Sequence, residues 1–259
     1  APRPSNGEAD QHFFRASAEN LMKIPGSPIA YWVGENTYDA FIIYDLLGAI
    51  GDAKSGQNTG DNDRFIRRWY EVSLKTTKRD ETSLKNATVN SEKWYPYNKG
   101  GEYRRWYGNF EHVINWKNDG EEIKHYAVER NNGKHWSRYI QNLDYMLREG
   151  LTWSFISSSY FGIRYTPQGC LFDYAGCSLF TKGKVDNLVI LSSLSSVTSA
   201  HFVKALNPTL NLQPGNVSTI PFVNRPEAKK IARVAIESSR IDWDNFETSW
   251  DFQDLPLLR

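Results

Sequence analysis

The residues of this sequence best suited to chemistry are cations set among glycines and aromatic rings. Gly51 and Gly56 lead into Thr59-Gly60-Asp61-Asn62-Asp63-Arg64-Phe65-Ile66-Arg67-Arg68. Glycines let backbone amides come close to an anionic backbone. Arginines after them suit phosphates or, in bidentate fashion, guanine edges. Gly56, Gly60, Asn62, Arg64, Arg67 and Arg68 are therefore candidate nucleic-acid contacts. The competing reading is a plain loop, capped by its own Asn and Asp side chains, with solvated arginines. Lys99-Gly100-Gly101-Glu102-Tyr103-Arg104-Arg105-Trp106-Tyr107 repeats the pattern, with three cations and three aromatic rings in nine residues. It combines phosphate pairing, base stacking and cation–π contact, which adds Lys99, Gly100, Gly101, Arg104, Arg105, Trp106 and Tyr107 as candidates. Its ordinary alternative is a hairpin whose Tyr103 and Trp106 pack inward while the arginines snorkel. The small polar run 154–159 and Lys134-His135-Trp136, after the Asn131-Asn132-Gly133 turn, are weaker signals.

Signals for catalysis are missing. An adenine amino-methyltransferase needs a glycine-rich loop after a strand for S-adenosylmethionine, and an Asn-Pro-Pro-aromatic turn for the flipped base. Asn207-Pro208 continues into Thr209-Leu210 and reads as a helix stop. His12, His112, His125, His135 and His201 are scattered, with no Ser or Cys partner in a recognisable arrangement. Cys170 and Cys177 have no nearby His and read as buried small hydrophobes in a reducing cytosol, not zinc ligands. The chain is thus expected to be non-catalytic, with no metal or cofactor of its own.

These residues must be positioned by short elements. A helix is predicted over 36–47, closed by Gly48, followed by a glycine-rich turn over 51–63 and a strand from Phe65. Strands are predicted at 110–116, 152–156, 162–165 and 170–174, with Asn118-Asp119-Gly120 as a hairpin turn. Helices are predicted over 137–149, over 196–206 after a short strand from Val185, and over 226–239. The fold class this implies is α+β, a twisted, largely antiparallel sheet core with flanking helices. Its divisions are an N-terminal linker and leading helix (1–47), a recognition domain (48–222), and a C-terminal helix with an acidic tail (223–259).

The net charge of +1 hides an asymmetry. Glu237, Asp242, Asp244, Glu247, Asp251 and Asp254 against Arg240 and Arg259 give the tail −4, leaving +5 for the body. Nine Trp, fourteen Tyr and thirteen Phe exceed what a core needs, so several should face a surface or partner. No apolar run reaches the roughly 20 residues of a membrane helix. The opening APRPSNGEAD has neither a signal-peptide pattern nor an initiator Met, which reads as a start inside a longer cytoplasmic protein.

Several segments together resemble a known family. In order they are Pro25-Gly-Ser-Pro-Ile-Ala-Tyr-Trp32, Thr59–Phe65, Tyr97–Gly101 with Arg104–Asn109, Asn115-Trp116 with Asn118–Gly120, Thr152-Trp-Ser154, Phe172-Asp173 with Gly176, Asn207–Thr209, and Asp242-Trp-Asp244 with Glu247–Phe252. The pattern resembles the C-terminal region of BREX-type (PglX-like) adenine-specific DNA methyltransferases of phage defence, and in part the type IIG restriction–modification enzymes. The resemblance implies a target-recognition domain like that of type I specificity subunits, binding double-stranded DNA beside a parent methyltransferase domain. It implies S-adenosylmethionine as the parent's cofactor, other defence-system proteins as partners, and a DNA role for 59–68 and 99–107. A carbohydrate-binding module, suggested by the aromatic content, and a protein-interaction scaffold, suggested by the acidic Trp-rich tail, are the alternatives.

Overall fold

The structure of the chain, a computed structural model, describes residues 17–84, 86, 92–156, 160–207, 209–255 and 258. The start of the N-terminal linker, residues 157–159 of the small polar run and Pro208 lie outside the described residues. Two four-stranded sheets carry the fold, as the expected α+β class requires. The first has the order β1 (Gly51–Lys54), β8 (Ser178–Thr181), β5 (Gly150–Trp153), β6 (Ile163–Thr166), antiparallel throughout. The second runs β2 (Ile66–Arg68), β4 (His112–Asn115), β3 (Trp94–Asn98), β7 (Leu171–Phe172), with only the β3–β7 pair parallel.

Helices α1 (Ala18–Met22), α2 (Glu35–Ile43), α5 (Asn187–Leu194), α6 (Val197–Leu206) and α7 (Pro214–Ser218) accompany the first sheet. Leu47, Trp153, Ile163, Leu179, Ile190, Phe202 and Val217 share its core. Helix α4 (Lys117–Arg130) and the turns over 136–147 cover the second sheet, whose core holds Phe65, Tyr95, Ile114, Trp116, Ile123 and Leu147. Phe180 of β8 joins the two, with its ring 5.4 Å from that of Phe172 and 5.1 Å from that of Tyr145.

Local chemistry sets the boundaries. Asp186 accepts a hydrogen bond from the Leu188 amide (2.8 Å) and starts α5; Ser196 does the same for α6 through Ser199 (3.1 Å). The expected strand at Val185 is therefore absent, and α5 and α6 meet at a 71° bend. Among the described residues no single helix is long and apolar enough to cross a membrane. The helix expected over 36–47 ends at Ile43, because residues 45–47 pair instead with Ile220 and Phe222. The turn expected over 51–63 contains β1, where Gly51 lies close against Leu179 and Phe180.

The helix expected over 137–149 is replaced by two single turns, Trp136–Arg138 and Leu143–Tyr145. Asn142 (φ 56°) and Leu147 (φ 65°) adopt left-handed backbone that no continuous α-helix accommodates. Its apolar positions Ile140 and Leu147 are buried all the same. Asn118, Asp119 and Gly120 are also left-handed, yet they open α4 and form no hairpin. Gly120 sits against the buried Trp116 ring, where a Cβ would come within 2.9 Å. The final helix, α8, covers Lys229–Asp244, later than the expected 226–239, and follows a single turn at Pro226–Ala228.

Candidate nucleic-acid interface

The two glycine–cation loops meet at Asn62 and Lys99. Asp61 caps the short helix α3 (Asn62–Phe65) by accepting from the Arg64 amide at 3.0 Å. That places the Asn62 side chain where its Oδ1 accepts from Thr59 Oγ1 (2.6 Å) and Lys99 Nζ (3.3 Å). Lys99 also donates to Asp173 Oδ2 at 2.9 Å. Asp173 is buried and accepts in addition from Tyr97 Oη and the Ala175 amide, both at 2.8 Å. Burial and the neighbouring Asp173 carboxylate push the Tyr97 hydroxyl well above its ordinary range, which keeps it the donor.

Gly60 (φ +72°) turns its amide to Asn58 Oδ1 at 3.0 Å, and the Arg130 guanidinium lies over it. Arg130 and Arg138 both lie over the Tyr139 ring, at 4.5 and 5.9 Å, and the Asn58 amide bonds the Tyr139 carbonyl. Asn58, Gly60, Asn62, Lys99, Arg130 and Arg138 thus form one polar, cationic edge. The sequence reading omitted Arg130 and Arg138. Arg130, Lys134 and Arg138 recur every four residues beside Tyr139, a faint signal that the false helix over 137–149 hid.

The other candidates are placed differently. The Gly56 amide donates to the Asp173 carbonyl at 3.2 Å, and a Cβ at Gly56 would lie 1.9 Å from the Phe172 carbonyl oxygen. Gly56 is thus a packing residue. Gly100 (φ +89°) and Gly101 (φ +111°) turn the second loop over Ala175 and Asn109. Arg64 pairs with Glu122 at 2.9 Å, Arg68 with Glu111 at 3.0 Å, and Arg67 bonds the carbonyls of Asp63 and Ile66.

Arg104 and Arg105 are drawn away from the Lys99 edge. Arg104 pairs with Asp242 at 3.2 Å and lies over the Trp243 ring at 4.7 Å. Arg105 donates to the Ser195 carbonyl at the end of α5. Trp106 (φ 70°) adds its backbone to the free edge of β6, with its amide 2.9 Å from the Ile163 carbonyl. Tyr107 is half-buried beside the tail; burial, then Asp244 and Asp251, raise its hydroxyl to about 12.

The acidic tail itself folds onto the body. Trp250 stacks on Trp69 (5.4 Å) and donates to the Phe110 carbonyl, and Asp251 pairs with Arg79 at 3.2 Å.

Among the described residues no three His, Cys, Asp or Glu side chains converge as a metal site would require. The order of β1, Gly56, Gly60 and α3 is that of a cofactor loop. It does not fit S-adenosylmethionine, since Gly56 is covered by Phe172 and α3 has only four residues.

Fold and edge together describe an α+β unit with a cationic, glycine-turned edge. No model of a known protein family matches the chain. It is similar to the adenine-specific methyltransferase PglX of Lacticaseibacillus casei (strain Zhang), 38% identical over 254 residues, which is 95% of this chain and 20% of that protein. It is also similar to the adenine-specific methyltransferase BrxX of Escherichia coli O9:H4 (strain HS), 35% identical over 249 residues, 95% of this chain and 19% of that protein. The chain spans about a fifth of the length of the curated relatives it matches.

Proposed function

We propose that this chain is the double-stranded-DNA recognition part of a longer adenine-specific DNA methyltransferase. The observation that carries the reading is the meeting of both glycine–cation loops at Asn62 and Lys99, in a chain similar to adenine-specific methyltransferases over 95% of its length. Lys99, Arg130 and Arg138 hold phosphates, while Gly60 and Gly101 let the loop backbones approach the duplex. Neighbouring polar and aromatic side chains read base edges. Methyl transfer from S-adenosylmethionine, contact with other defence-system proteins and a cytoplasmic setting belong, in this reading, to the whole protein.

The test is duplex binding as a function of salt for the wild type and Arg130→Ala/Arg138→Ala. Affinity is expected to fall linearly on a log–log plot, with the double variant's slope shallower by up to about 2. Arg104→Ala/Arg105→Ala should change the slope less, because those two cations are drawn away from the Lys99 edge. Binding by the wild type that ignores salt, or no binding at low ionic strength, would sink the reading.

A further inference from the structure

The segment that replaces the expected helix over 137–149 carries positive charge beyond the Lys99 edge. From Arg130 to Arg148 the sequence has four cations, Arg130, Lys134, Arg138 and Arg148, against one carboxylate, Asp144. Its backbone lies along the first loop. The Asn58 amide donates to the Tyr139 carbonyl at 2.8 Å, and Asn142 Nδ2 donates to the Ser55 carbonyl, also at 2.8 Å. The left-handed Asn142 turns the chain there, and Tyr145 then comes against β1, its hydroxyl donating to Asp52 at 3.1 Å.

Two tyrosine rings in this segment each hold two cations. Tyr139 carries Arg130 at 4.5 Å and Arg138 at 5.9 Å; Tyr145 carries Lys54 at 5.0 Å and Arg148 at 5.2 Å. A ring face attracts a cation only weakly at an exposed site, and two like charges on one ring repel. Arg64, Arg68, Arg79 and Arg104 each hold a carboxylate. Among the described residues Lys54, Arg130, Arg138 and Arg148 make no ion pair of that kind. The carboxylates beside Tyr145 are engaged elsewhere: Asp52 takes the Tyr145 hydroxyl and Lys182 (3.4 Å), and Glu149 takes Asn187 Nδ2 at 2.9 Å. Asp144 is exposed and opposes only part of the charge. Two pairs of cations, each gathered on a ring, suit an external anion with repeated charges. Lys54 and Asn58, which join the two pairs, have Cα atoms within roughly 14 Å of each other, the chain between them being four residues long. At about 3.4 Å per phosphate along one strand, that is the length of about four steps of a duplex.

We propose that Lys54 and Arg148, gathered on Tyr145, form a second phosphate-binding point continuous with the one at Tyr139, so that one duplex is held by its backbone at two places about four nucleotides apart. The inference rests on the recognition reading and lengthens the grip described there. Contacts of this kind add affinity and fix register without choosing sequence.

The test is duplex binding by the 259-residue chain, titrated against salt, for the wild type, Arg130→Ala/Arg138→Ala, Lys54→Gln/Arg148→Gln and the variant carrying all four changes. Each lost phosphate contact removes roughly 0.9 from the log–log slope. Lys54→Gln/Arg148→Gln should therefore be shallower by up to about 2 and the four-site variant by up to about 4, with an equal loss on an unrelated duplex of the same length. Arg148→Lys keeps the charge and should keep the wild-type slope; a loss equal to that of Arg148→Gln would overturn the phosphate role. Arg148 is exposed, so Arg148→Gln alone, expected to lose up to about 1 in slope, decides the matter if the double variant fails to fold. An unchanged slope in Lys54→Gln/Arg148→Gln beside a shallower one in Arg130→Ala/Arg138→Ala overturns the second point and leaves the recognition reading standing. A wild type without salt-dependent binding overturns both.

Discussion

Asp173 shows what a single side chain does here. Its carboxylate fixes Lys99, Tyr97 and the Ala175 amide at once, so the second loop and the end of β7 share one anchor. Asp173→Asn keeps the shape and removes the charge, and should destabilise the protein by roughly 1.5–3 kcal/mol in urea denaturation. His112 on β4 offers a pH test. Burial lowers its pKa below the ordinary 6.5; the Glu111 carboxylate opposes this, while Arg68 and Lys99 reinforce it. The folded state therefore binds the proton less well than the unfolded chain. The contribution of His112 to stability is complete above the ordinary value and is lost as pH falls through the folded one. His112→Gln should flatten the decline of the urea midpoint between about pH 7 and pH 5, and an unchanged decline would refute this. Burial raises the thiols of Cys170 and Cys177 to about 12 and about 11. Neither should react with iodoacetamide at about pH 8 in the native protein, whereas both should react once it is unfolded.

Elements fix which of the predicted contacts can act together. The strands at 110–116, 162–165 and 170–174 were legible because alternating apolar residues and turn signals mark them. Strand β1 was not, since Gly51 and Gly56 read as a turn; only their close approach to Leu179 and Phe172 explains glycine there. Gly56→Ala should cost about 2 kcal/mol or more, since a Cβ at that position collides with backbone that cannot rotate away. Helix α4 was hidden because Asn118-Asp119-Gly120 is the same signature a hairpin uses, and the choice depended on Trp116 being buried under it. The tail was legible as acidic but its destination was not. Asp242 and Asp251 neutralise Arg104 and Arg79 from the far end of the chain. Under the recognition reading, Asp242→Asn/Asp251→Asn should free two cations and steepen the salt dependence of duplex binding by up to about 2 in slope. An unchanged slope would mean that neither arginine reaches phosphate.

At the scale of the molecule, the +5 body and −4 tail predicted from composition lie against each other, so the exposed charge pattern is more even than the linear sequence suggests. Of the candidate site, Gly60, Asn62 and Lys99 fall on one edge and Arg104 and Arg105 on another. No spacing rule could separate them, because the division depends on where α8 returns.

The long reach of these contacts also bears on how the chain is made. Strand β1 pairs with β8 about 130 residues later (Gly51↔Thr181), and Trp69 is covered by Trp250. A ribosome emitting roughly 5–20 residues per second leaves each of these surfaces bare for many seconds. The first half of the chain therefore waits, unsheltered, for the second. Nascent chains arrested before Trp250 should bind chaperones and lose Trp69 to proteases, and emergence of Trp250 should end both.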